Sequence, residues 1–199
     1  MVKSESNCKK SKKIGILGGA FDPLHMGHLV LAEHALGEFG LDEIIFLPYN
    51  VSASKEPPQA SSRDRLNMLR LATMDNPYFS VSDLEIKKGG LSFSYDTLKF
   101  LKKRDSGSKF FFLIGSDAFS ELESWKNYKS LVKMTSFIVA VRPGVKIKNI
   151  KGAKYNRLLL PQIAISSSSI RKIVKSGSSL RYLVPDKIRD YILNFKLYP

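Results

Sequence analysis

Cysteine and long apolar runs are both scarce in this chain of 199 residues. The one cysteine, Cys8, excludes an internal disulfide and is typical of proteins in a reducing compartment. No stretch reaches the roughly 18 consecutive apolar residues that a membrane-spanning helix needs. The first residues are polar and rich in lysine, which argues against a secretory signal. We therefore expect a cytoplasmic protein with no membrane association.

Acidic residues are also few, 18 against 32 lysines and arginines, which gives a net charge of +14. The positive charge lies at the two ends of the chain. Residues 1–13 hold five lysines against Glu5, and residues 142–199 hold thirteen lysines and arginines against Asp186 and Asp190. The basic end is either a solvated face or a pole that attracts polyanions such as nucleotides or RNA.

Between these ends, short apolar runs alternate with helical patterns. Most of the runs are apolar throughout, as expected when helices cover both faces of a parallel sheet. The predicted strands are Ile14–Leu17, Glu43–Leu47, Phe79–Leu84, Lys109–Ile114, Phe137–Val141 and the shorter Arg157–Leu160. The predicted helices are Leu29–Phe39, Arg63–Thr73, Tyr95–Arg104, Tyr128–Lys133, Ser168–Lys175 and Pro185–Asn194. The two long predicted loops are Tyr49–Ser62 and Val145–Asn156.

This alternation predicts an α/β fold with a doubly wound parallel sheet. We expect residues 1–12 to be a disordered basic tail and residues 13–199 to form a single domain, since 43% apolar content supports one core. Ligands of such sheets bind at the carboxyl ends of the strands, so the segments that follow the strands are where a site is expected.

The first predicted strand leads through a glycine-rich turn into the first helix, over Gly15–His28. The glycines are not spaced as GxGxxG, so a dinucleotide fingerprint is not supported. Gly18 and Gly19 allow a ligand to approach the backbone closely. Gly27 opens a helix whose N–H groups and positive dipole end attract anions.

Two of the three histidines, His25 and His28, lie three residues apart at the start of this helix. Both imidazoles should project from one side of the helix N-terminus, where they could donate hydrogen bonds to a phosphoryl group. His34 lies about 240° further round the helix and should face elsewhere. Metal ligation is the rival interpretation, but no cysteine and no nearby acidic pair completes a zinc site.

The segment Gly18–His28, GGAFDPLHMGH, resembles the signature of the HxGH nucleotidyltransferase superfamily. This superfamily includes nicotinate-mononucleotide, pantetheine-phosphate and choline-phosphate nucleotidyltransferases. The resemblance implies a Rossmann-like nucleotidyltransferase fold and transfer of an adenylyl group from ATP. It implies that His25 and His28 are catalytic and that Gly18, Gly19 and Phe21 contact ATP. It also implies Mg²⁺ as cofactor, bound through the ATP phosphates and not by a protein metal site.

A run of serines opens a later helix in Ile165–Arg171, ISSSSIR. Serine is a good helix cap, but four in a row exceed what capping needs, and Arg171 adds a fork-shaped phosphate donor one turn inside. The segment resembles the ISSTxIR motif of the same superfamily, with Ser168 where threonine is usual. That resemblance implies ATP binding by Ser166, Ser167, Ser168 and Arg171. A doubly wound sheet can bring this helix N-terminus to the edge where His25 and His28 lie.

Two central segments resemble those of bacterial nicotinate-mononucleotide adenylyltransferases. Gly115–Trp125 is similar to IGxDxxxxLxxW, which implies ATP binding by Asp117 and stacking of Trp125 on a pyridine ring. Without that motif, Trp125 could equally be a core or rim residue. Ser92–Leu98, SFSYDTL, is similar to SYTxDTL, a turn whose backbone N–H groups bind the nicotinate carboxylate. Phe93 and Ser94 replace tyrosine and threonine, which preserves a backbone role and removes the tyrosine hydroxyl.

The loop after the second strand departs from the family pattern. The family often has PPHK there, whereas this chain has Ser52–Lys55, with Ser54 in place of the histidine. Lys55 aligns with the family lysine and could neutralise a phosphate of the substrate. Its other interpretation is an exposed loop cation, and the effect of Ser54 is left open.

Together these resemblances imply an enzyme that converts nicotinate mononucleotide and ATP to deamido-NAD and pyrophosphate. The first alternative is a pantetheine-phosphate adenylyltransferase, a family that usually has threonine at the position of His25. The second is a basic nucleic-acid-binding protein, which is disfavoured because the charges are not interleaved with aromatic residues. A catalytically inactive sensor on the same fold is disfavoured because both phosphate motifs retain their functional groups. The sequence leaves open a homo-oligomer, the use of nicotinamide mononucleotide and the role of the lysine-rich tail.

Overall fold

The computed structural model describes residues 11–52, 56–141, 144–161 and 163–199. Strands and helices alternate along most of the chain. The strands are β1 (Lys13–Gly19), β2 (Glu43–Pro48), β3 (Val51–Ser52), β4 (Phe79–Val81), β5 (Leu91–Ser92), β6 (Lys109–Gly115), β7 (Ser136–Val141) and β8 (Tyr155–Leu159). The helices are α1 (Met26–Phe39), α2 (Ser62–Thr73), α3 (Leu84–Lys88), α4 (Ser94–Arg104), α5 (Ser116–Ser120), α6 (Tyr128–Met134), α7 (Ser167–Lys175) and α8 (Asp186–Asn194). A 3₁₀ turn covers Leu122–Ser124.

Six strands form one sheet in the order β4-β2-β1-β6-β7-β8, and every neighbouring pair is parallel. The first strand lies in the middle, because later strands add on both sides of it. The carboxyl end of β1 is therefore flanked by the segments that follow β2 and β6. In an open parallel sheet this is the position at which ligands bind.

Helices cover both faces of the sheet, as predicted. One hydrophobic cluster packs β1 and β2 against α1, α2, α7 and α8, with Ile170, Ile188 and Ile192 fully buried. The other packs the opposite face against α4, α5 and α6, with Phe119 and Leu131 fully buried. The predicted doubly wound α/β fold is confirmed.

One predicted strand is wrong in its second half. The pattern predicted a strand over Phe79–Leu84, but β4 ends at Val81 and Leu84 begins α3. The backbone N–H of Leu84 lies 3.4 Å from the Ser82 hydroxyl, and the N–H of Lys87 donates to the Asp83 carbonyl at 2.8 Å. A serine followed by an aspartate thus turns the chain into a helix, since such side chains compete with ladder hydrogen bonds.

A second, two-stranded parallel sheet joins segments that the sequence treated as loops. Strand β3 pairs with β5, and the N–H of Asn50 donates to the Ser92 hydroxyl at 3.1 Å. Strand β3 lies in the predicted loop Tyr49–Ser62, and its pairing with β5 ties this loop to the segment that leads into α4. The two segments are therefore held next to each other.

Two residues of the predicted tail, Ser11 and Lys12, make hydrogen bonds to the domain. Residues 1–10, including Cys8, lie outside the described part of the chain. Ser11 donates to the carbonyl of Gly107, and the carbonyl of Lys12 accepts from the N–H of Lys109 at 2.7 Å. In the described ranges no helix has the length and apolar content to cross a membrane.

Candidate active site

The two histidines of the first motif meet at the start of α1. His25 caps the helix in an extended conformation, and α1 begins at Met26. The imidazoles of His25 and His28 stack with ring centroids 3.7 Å apart and planes 29° apart. The prediction that both rings lie on one side of the helix N-terminus is confirmed, and His34 is exposed elsewhere on the helix.

Local hydrogen bonding sets the tautomer of His28. Its Nδ1 accepts the backbone N–H of His25 at 3.2 Å, so in neutral His28 the proton is on Nε2, which is free to act as a donor. Burial lowers the pKa of His25 to about 4. Burial and then the charge of His25 lower the pKa of His28 well below its usual value. Both rings are therefore neutral near pH 7, and His28 offers a hydrogen bond without a positive charge.

The depressed pKa values predict a stability change with pH. A histidine with pKa near 6.5 in the unfolded chain takes up a proton there before it does so in the folded protein. The free energy of unfolding should thus fall as pH drops below about 6.5, by at most about 1.4 kcal/mol per pH unit for each ring, and the contribution of His25 extends to about pH 4. Urea unfolding of the wild type and a His25→Gln/His28→Gln variant at pH 7 and 5 checks this. The variant should lose less stability on acidification, whereas His34→Gln should follow the wild type.

Gly27 lies against the ring of His25. A Cβ at this position would be 3.1 Å from Nδ1 and 3.2 Å from Cε1 of His25, so the ring would have to move by a few tenths of an ångström. Phe21 supports the other ring: it is 1% exposed and contacts His28 edge-on, with centroids 5.1 Å apart. Since the Phe21 side chain is buried, only its backbone can reach a nucleotide.

We expect Gly27→Ala to separate activity from stability. Alanine favours the helix over glycine, so Tm should stay the same or rise, while displacement of His25 should lower kcat by roughly 3- to 10-fold. Gly37→Ala is the matched control, because it lies in α1 with open space around its Cβ position. Thermal unfolding and steady-state kinetics check both, and equal kcat in the two variants would refute a packing requirement at Gly27.

The four serines of the second motif have different contacts. Ser166 and Ser169 form a reciprocal cap, in which each side chain accepts the other's backbone N–H at 3.1 Å. Ser167 donates to the carbonyl of Pro23 at 2.9 Å. Ser168 is exposed and accepts from Arg171 Nη2 at 3.3 Å. Capping thus explains two of the serines, while Ser167 joins the two motifs.

Arg171 also contacts the first motif. Its Nη1 donates to the carbonyl of Asp22 at 2.7 Å and lies 3.5 Å from the Asp22 carboxylate. The predicted meeting of the two motifs at one edge of the sheet is therefore confirmed. No role in the site was predicted for Asp22, although this residue is 3% exposed and its carboxylate has partners from several segments.

Arg65 is a second residue that sequence reasoning missed. It lies on α2, is 1% exposed, and donates from Nη1 to the carbonyls of Ala20 and Tyr49 at 2.8 and 2.9 Å. Its Nη2 lies 3.3 Å from the Ser62 hydroxyl. Arg65 thereby joins the loop after β1 to the loop after β2. In the sequence, its position beside Arg63 and Asp64 resembles a solvated helix face, so no local signal distinguishes it.

An open cavity of about 170 Å³ lies beside the histidines. It is formed where β6, β7 and β8 end and α1 begins, and Asp117 is at its polar side. The lining residues are Gly27, Val30, Gly115, Ser116, Asp117, Ala140, Val141, Leu160, Pro161 and Ile163. The structure therefore places Asp117 in the same region as the histidine motif.

The end of β1 is open to a ligand at Gly18, because only the Leu47 carbonyl lies near the Cβ position of this glycine.

Lys126 connects two of the segments that were predicted to bind the acceptor. Phe93 caps α4, and Lys126, next to Trp125, lies with its Nζ 4.2 Å from the centre of the Phe93 ring. The same ammonium pairs with Asp96 at 3.1 Å. Trp125 is partly buried at the edge of the second core cluster, and Ser94 is partly buried at the start of α4. Lys126 is a residue that sequence reasoning missed, while Lys55 and Ser54 lie outside the described residues.

Acidic and basic side chains are relevant to two alternative interpretations, a protein metal site and a nucleic-acid-binding surface. In the described part of the chain, no group of three histidine, cysteine, aspartate or glutamate side chains could hold a metal ion. Several basic residues of the C-terminal part are in ion pairs, such as Lys187 with Asp75 and Lys148 with Glu123, both at 2.7 Å. Part of the positive charge is therefore neutralised within the molecule.

Comparison with known proteins gives consistent results. A family model described as Cytidylyltransferase-like matches residues 16–173. A relative from Desulfitobacterium hafniense, named "Probable nicotinate-nucleotide adenylyltransferase", is 42% identical and covers 94% of this chain and 96% of its own. One of the same name from Exiguobacterium sibiricum is 39% identical and covers 94% and 98%. Among solved structures, "Plasmodium falciparum nicotinic acid mononucleotide adenylyltransferase complexed with NaAD" matches with a TM-score of 0.77 at 26% identity, covering 94% and 97%.

Proposed function

Since this chain belongs to the cytidylyltransferase-like family, we propose that it transfers the adenylyl group of ATP to nicotinate mononucleotide. An oxygen of the acceptor 5′-phosphate attacks the α-phosphorus of ATP in line. The bond from that phosphorus to the bridging oxygen breaks, and pyrophosphate leaves with both electrons. The other product is nicotinate adenine dinucleotide, so the reaction belongs to NAD biosynthesis.

The meeting of the two phosphate motifs carries this proposal. Ser167 and Pro23 are 144 positions apart in the chain, yet the serine hydroxyl donates to the proline carbonyl at 2.9 Å. The N-terminus of α7 is thereby held beside the histidines at the start of α1. A triphosphate could bind between the two helix N-termini. The N-terminus of α7 and Arg171 would then contact the leaving pyrophosphate, and the two imidazoles would contact the α-phosphate.

No protein nucleophile is needed, because the acceptor phosphate is already anionic. Catalysis then consists of positioning and charge stabilisation. His28 donates its Nε2–H to an oxygen of the α-phosphate as negative charge shifts, and His25 stacks against it. Ser168 and Arg171 contact the departing pyrophosphate. Mg²⁺ bound to the ATP phosphates would supply further positive charge, and Asp22 is not its ligand because protein donors already satisfy that carboxylate.

The remaining parts of the substrates have matching surfaces. The cavity beside α1 presents apolar side chains for an adenine ring and Asp117 as acceptor for ribose hydroxyls. On the acceptor side, the N-terminus of α4 and the Lys126 ammonium present positive charge near Phe93 and Trp125. That combination favours an acceptor with an aromatic ring and a carboxylate. In this site Gly18 and Gly19 allow the triphosphate to pass close to the backbone.

The deciding experiment presents several acceptors to the same purified protein with ATP and Mg²⁺. Nicotinate mononucleotide, nicotinamide mononucleotide and phosphopantetheine are compared at equal concentration, with pyrophosphate release and the dinucleotide product both measured. We expect the highest kcat/KM with nicotinate mononucleotide, because only its carboxylate complements the charge at α4. Turnover with phosphopantetheine alone would replace this proposal by the pantetheine-phosphate alternative. Absence of turnover with every acceptor, together with retention of RNA at moderate salt, would favour a nucleic-acid-binding protein.

A further inference from the structure

The carboxylate of Asp22 joins four separate segments of the chain. Its Oδ2 accepts the backbone N–H of Gln59 at 2.7 Å, and its Oδ1 accepts the N–H of Ala60 at 2.9 Å. The hydroxyl of Tyr198 donates to Oδ1 at 2.9 Å, and Arg171 Nη1 lies 3.5 Å from Oδ2. Because the side chain is almost fully buried, each of these donors replaces a water molecule that the charge would otherwise bind.

Tyr198 reaches this carboxylate from a segment that is otherwise largely exposed. Lys196 and Pro199 are exposed, whereas Tyr198 is 2% exposed. Its φ of 62° is in the left-handed region, which is unfavourable for a residue with a Cβ. Burial and the neighbouring Asp22 charge raise the pKa of Tyr198, so the hydroxyl keeps the proton that it donates. The segment thus adopts an unfavourable backbone conformation and places one hydroxyl on one buried charge.

Asp22 transmits this contact to both phosphate motifs. It lies three residues before His25, and its own carbonyl accepts Arg171 Nη1 at 2.7 Å. One aspartate therefore holds the same guanidinium nitrogen through its main chain and its carboxylate. Nη2 of Arg171 points to Ser168 instead, the exposed serine that would face a phosphate. A rotation of the carboxylate would change its 3.5 Å ion pair with Arg171, while the carbonyl contact would remain.

We propose that Tyr198 is a positioning residue for adenylyl transfer, which acts through Asp22 to hold Arg171 and the loop that carries His25 in one arrangement. This inference rests on the proposed function, because its kinetic consequence is measured in that reaction. Tyr198 does not touch the substrates. Its role is to complete the set of donors around Asp22, so that this carboxylate has one orientation.

Tyr198→Phe removes the hydroxyl and keeps the ring. We expect kcat to fall about tenfold, equivalent to about 1.4 kcal/mol in the barrier, because Arg171 loses its fixed orientation in the transition state. KM for the acceptor should change less than about twofold, because the donors to the Asp22 carboxylate include Gln59, Ala60 and Tyr198 but neither Phe93 nor Trp125. Steady-state kinetics with ATP and the acceptor varied in turn measures both.

Tyr191→Phe is a matched control in the neighbouring helix. The Tyr191 hydroxyl donates to Asp64 Oδ1 at 2.9 Å and accepts from Asn67 at 3.0 Å, so this variant also loses a tyrosine–aspartate hydrogen bond. Its partners lie on α2 and not in the phosphate motifs. Both variants should lower Tm by about 2–4 °C. Only Tyr198→Phe should lower kcat, and equal kcat in the two variants would overturn the positioning role.

A second measurement does not depend on turnover. The chain has three histidines, so ¹H–¹⁵N spectra of the imidazoles contain few signals, and exposed His34 is an internal reference. Tyr198→Phe should shift the signals of His25 and His28, whereas Tyr191→Phe should leave all three unchanged. If the wild type transfers no adenylyl group, the proposed function fails. These spectra alone then decide whether the Tyr198 hydroxyl affects the positions of His25 and His28. Unchanged histidine signals in Tyr198→Phe would then overturn this inference independently.

Discussion

Replacing His28 by alanine should lower kcat for adenylyl transfer by about 100-fold or more while the fold stays intact. The loss combines two effects of the same ring. The neutral imidazole donates a hydrogen bond where negative charge increases in the transition state. It also accepts the His25 N–H at 3.2 Å and stacks on the His25 ring, so its removal frees the second imidazole as well.

The matched control for this variant is His34→Ala. His34 lies on the same helix, is exposed, and is far enough round the helix to miss the site. Single-turnover rates at saturating ATP and acceptor measure the chemical step, and circular dichroism verifies folding. A His28→Ala enzyme with near-normal rates would show that this histidine does not stabilise the transferred group.

The second large effect is expected on stability. Arg65→Met should lower the free energy of unfolding by about 3 kcal/mol and Tm by about 6–12 °C. Methionine fills a similar volume, so the loss comes from polar groups and not from a cavity. It leaves the partly buried carbonyls of Ala20 and Tyr49 without their guanidinium donor. It also removes a positive charge that lies near the buried Asp22 carboxylate.

Arg70→Met provides the comparison on the same helix. Arg70 is exposed and lies 3.9 Å from Asp83, so its loss should change stability by less than about 1 kcal/mol. Urea unfolding measures the change in the free energy of unfolding for each variant relative to the wild type, provided that all three proteins have equal m-values. If Arg65→Met were as stable as Arg70→Met, the buried arginine would not join the two loops in the way the structure indicates.

Features encoded over a few neighbouring residues were predicted well from the sequence. The apolar run at Ile14–Leu17 and the glycine-rich turn after it located β1 and the start of α1. The spacing of His25 and His28 placed both rings on one side of the helix, because helical periodicity depends only on the local chain. Capping propensity likewise located the start of α7 at the serine run.

Features that depend on distant partners were not predicted. Strands β3 and β5 are two residues each, and only their pairing across the chain makes them strands. Arg65 and Asp22 have side chains that are ordinarily solvated, and their burial follows from carbonyls and donors supplied by other segments. The role of Ser167 also required the position of Pro23. Sequence patterns give the composition of a site more readily than its internal contacts.

The bond between Tyr198 and Asp22 has a consequence for biosynthesis of the protein. The two residues are 176 positions apart, so the carboxylate lacks one of its donors until Tyr198 has emerged from the ribosome. Contacts between such distant residues form late, because loop closure over many residues is entropically costly. A chain that lacks Tyr198 would therefore contain both phosphate motifs, but the Asp22 carboxylate between them would lack one of its donors. If Tyr198 positions the two motifs as proposed, such a chain should transfer adenylyl groups more slowly than the folded protein.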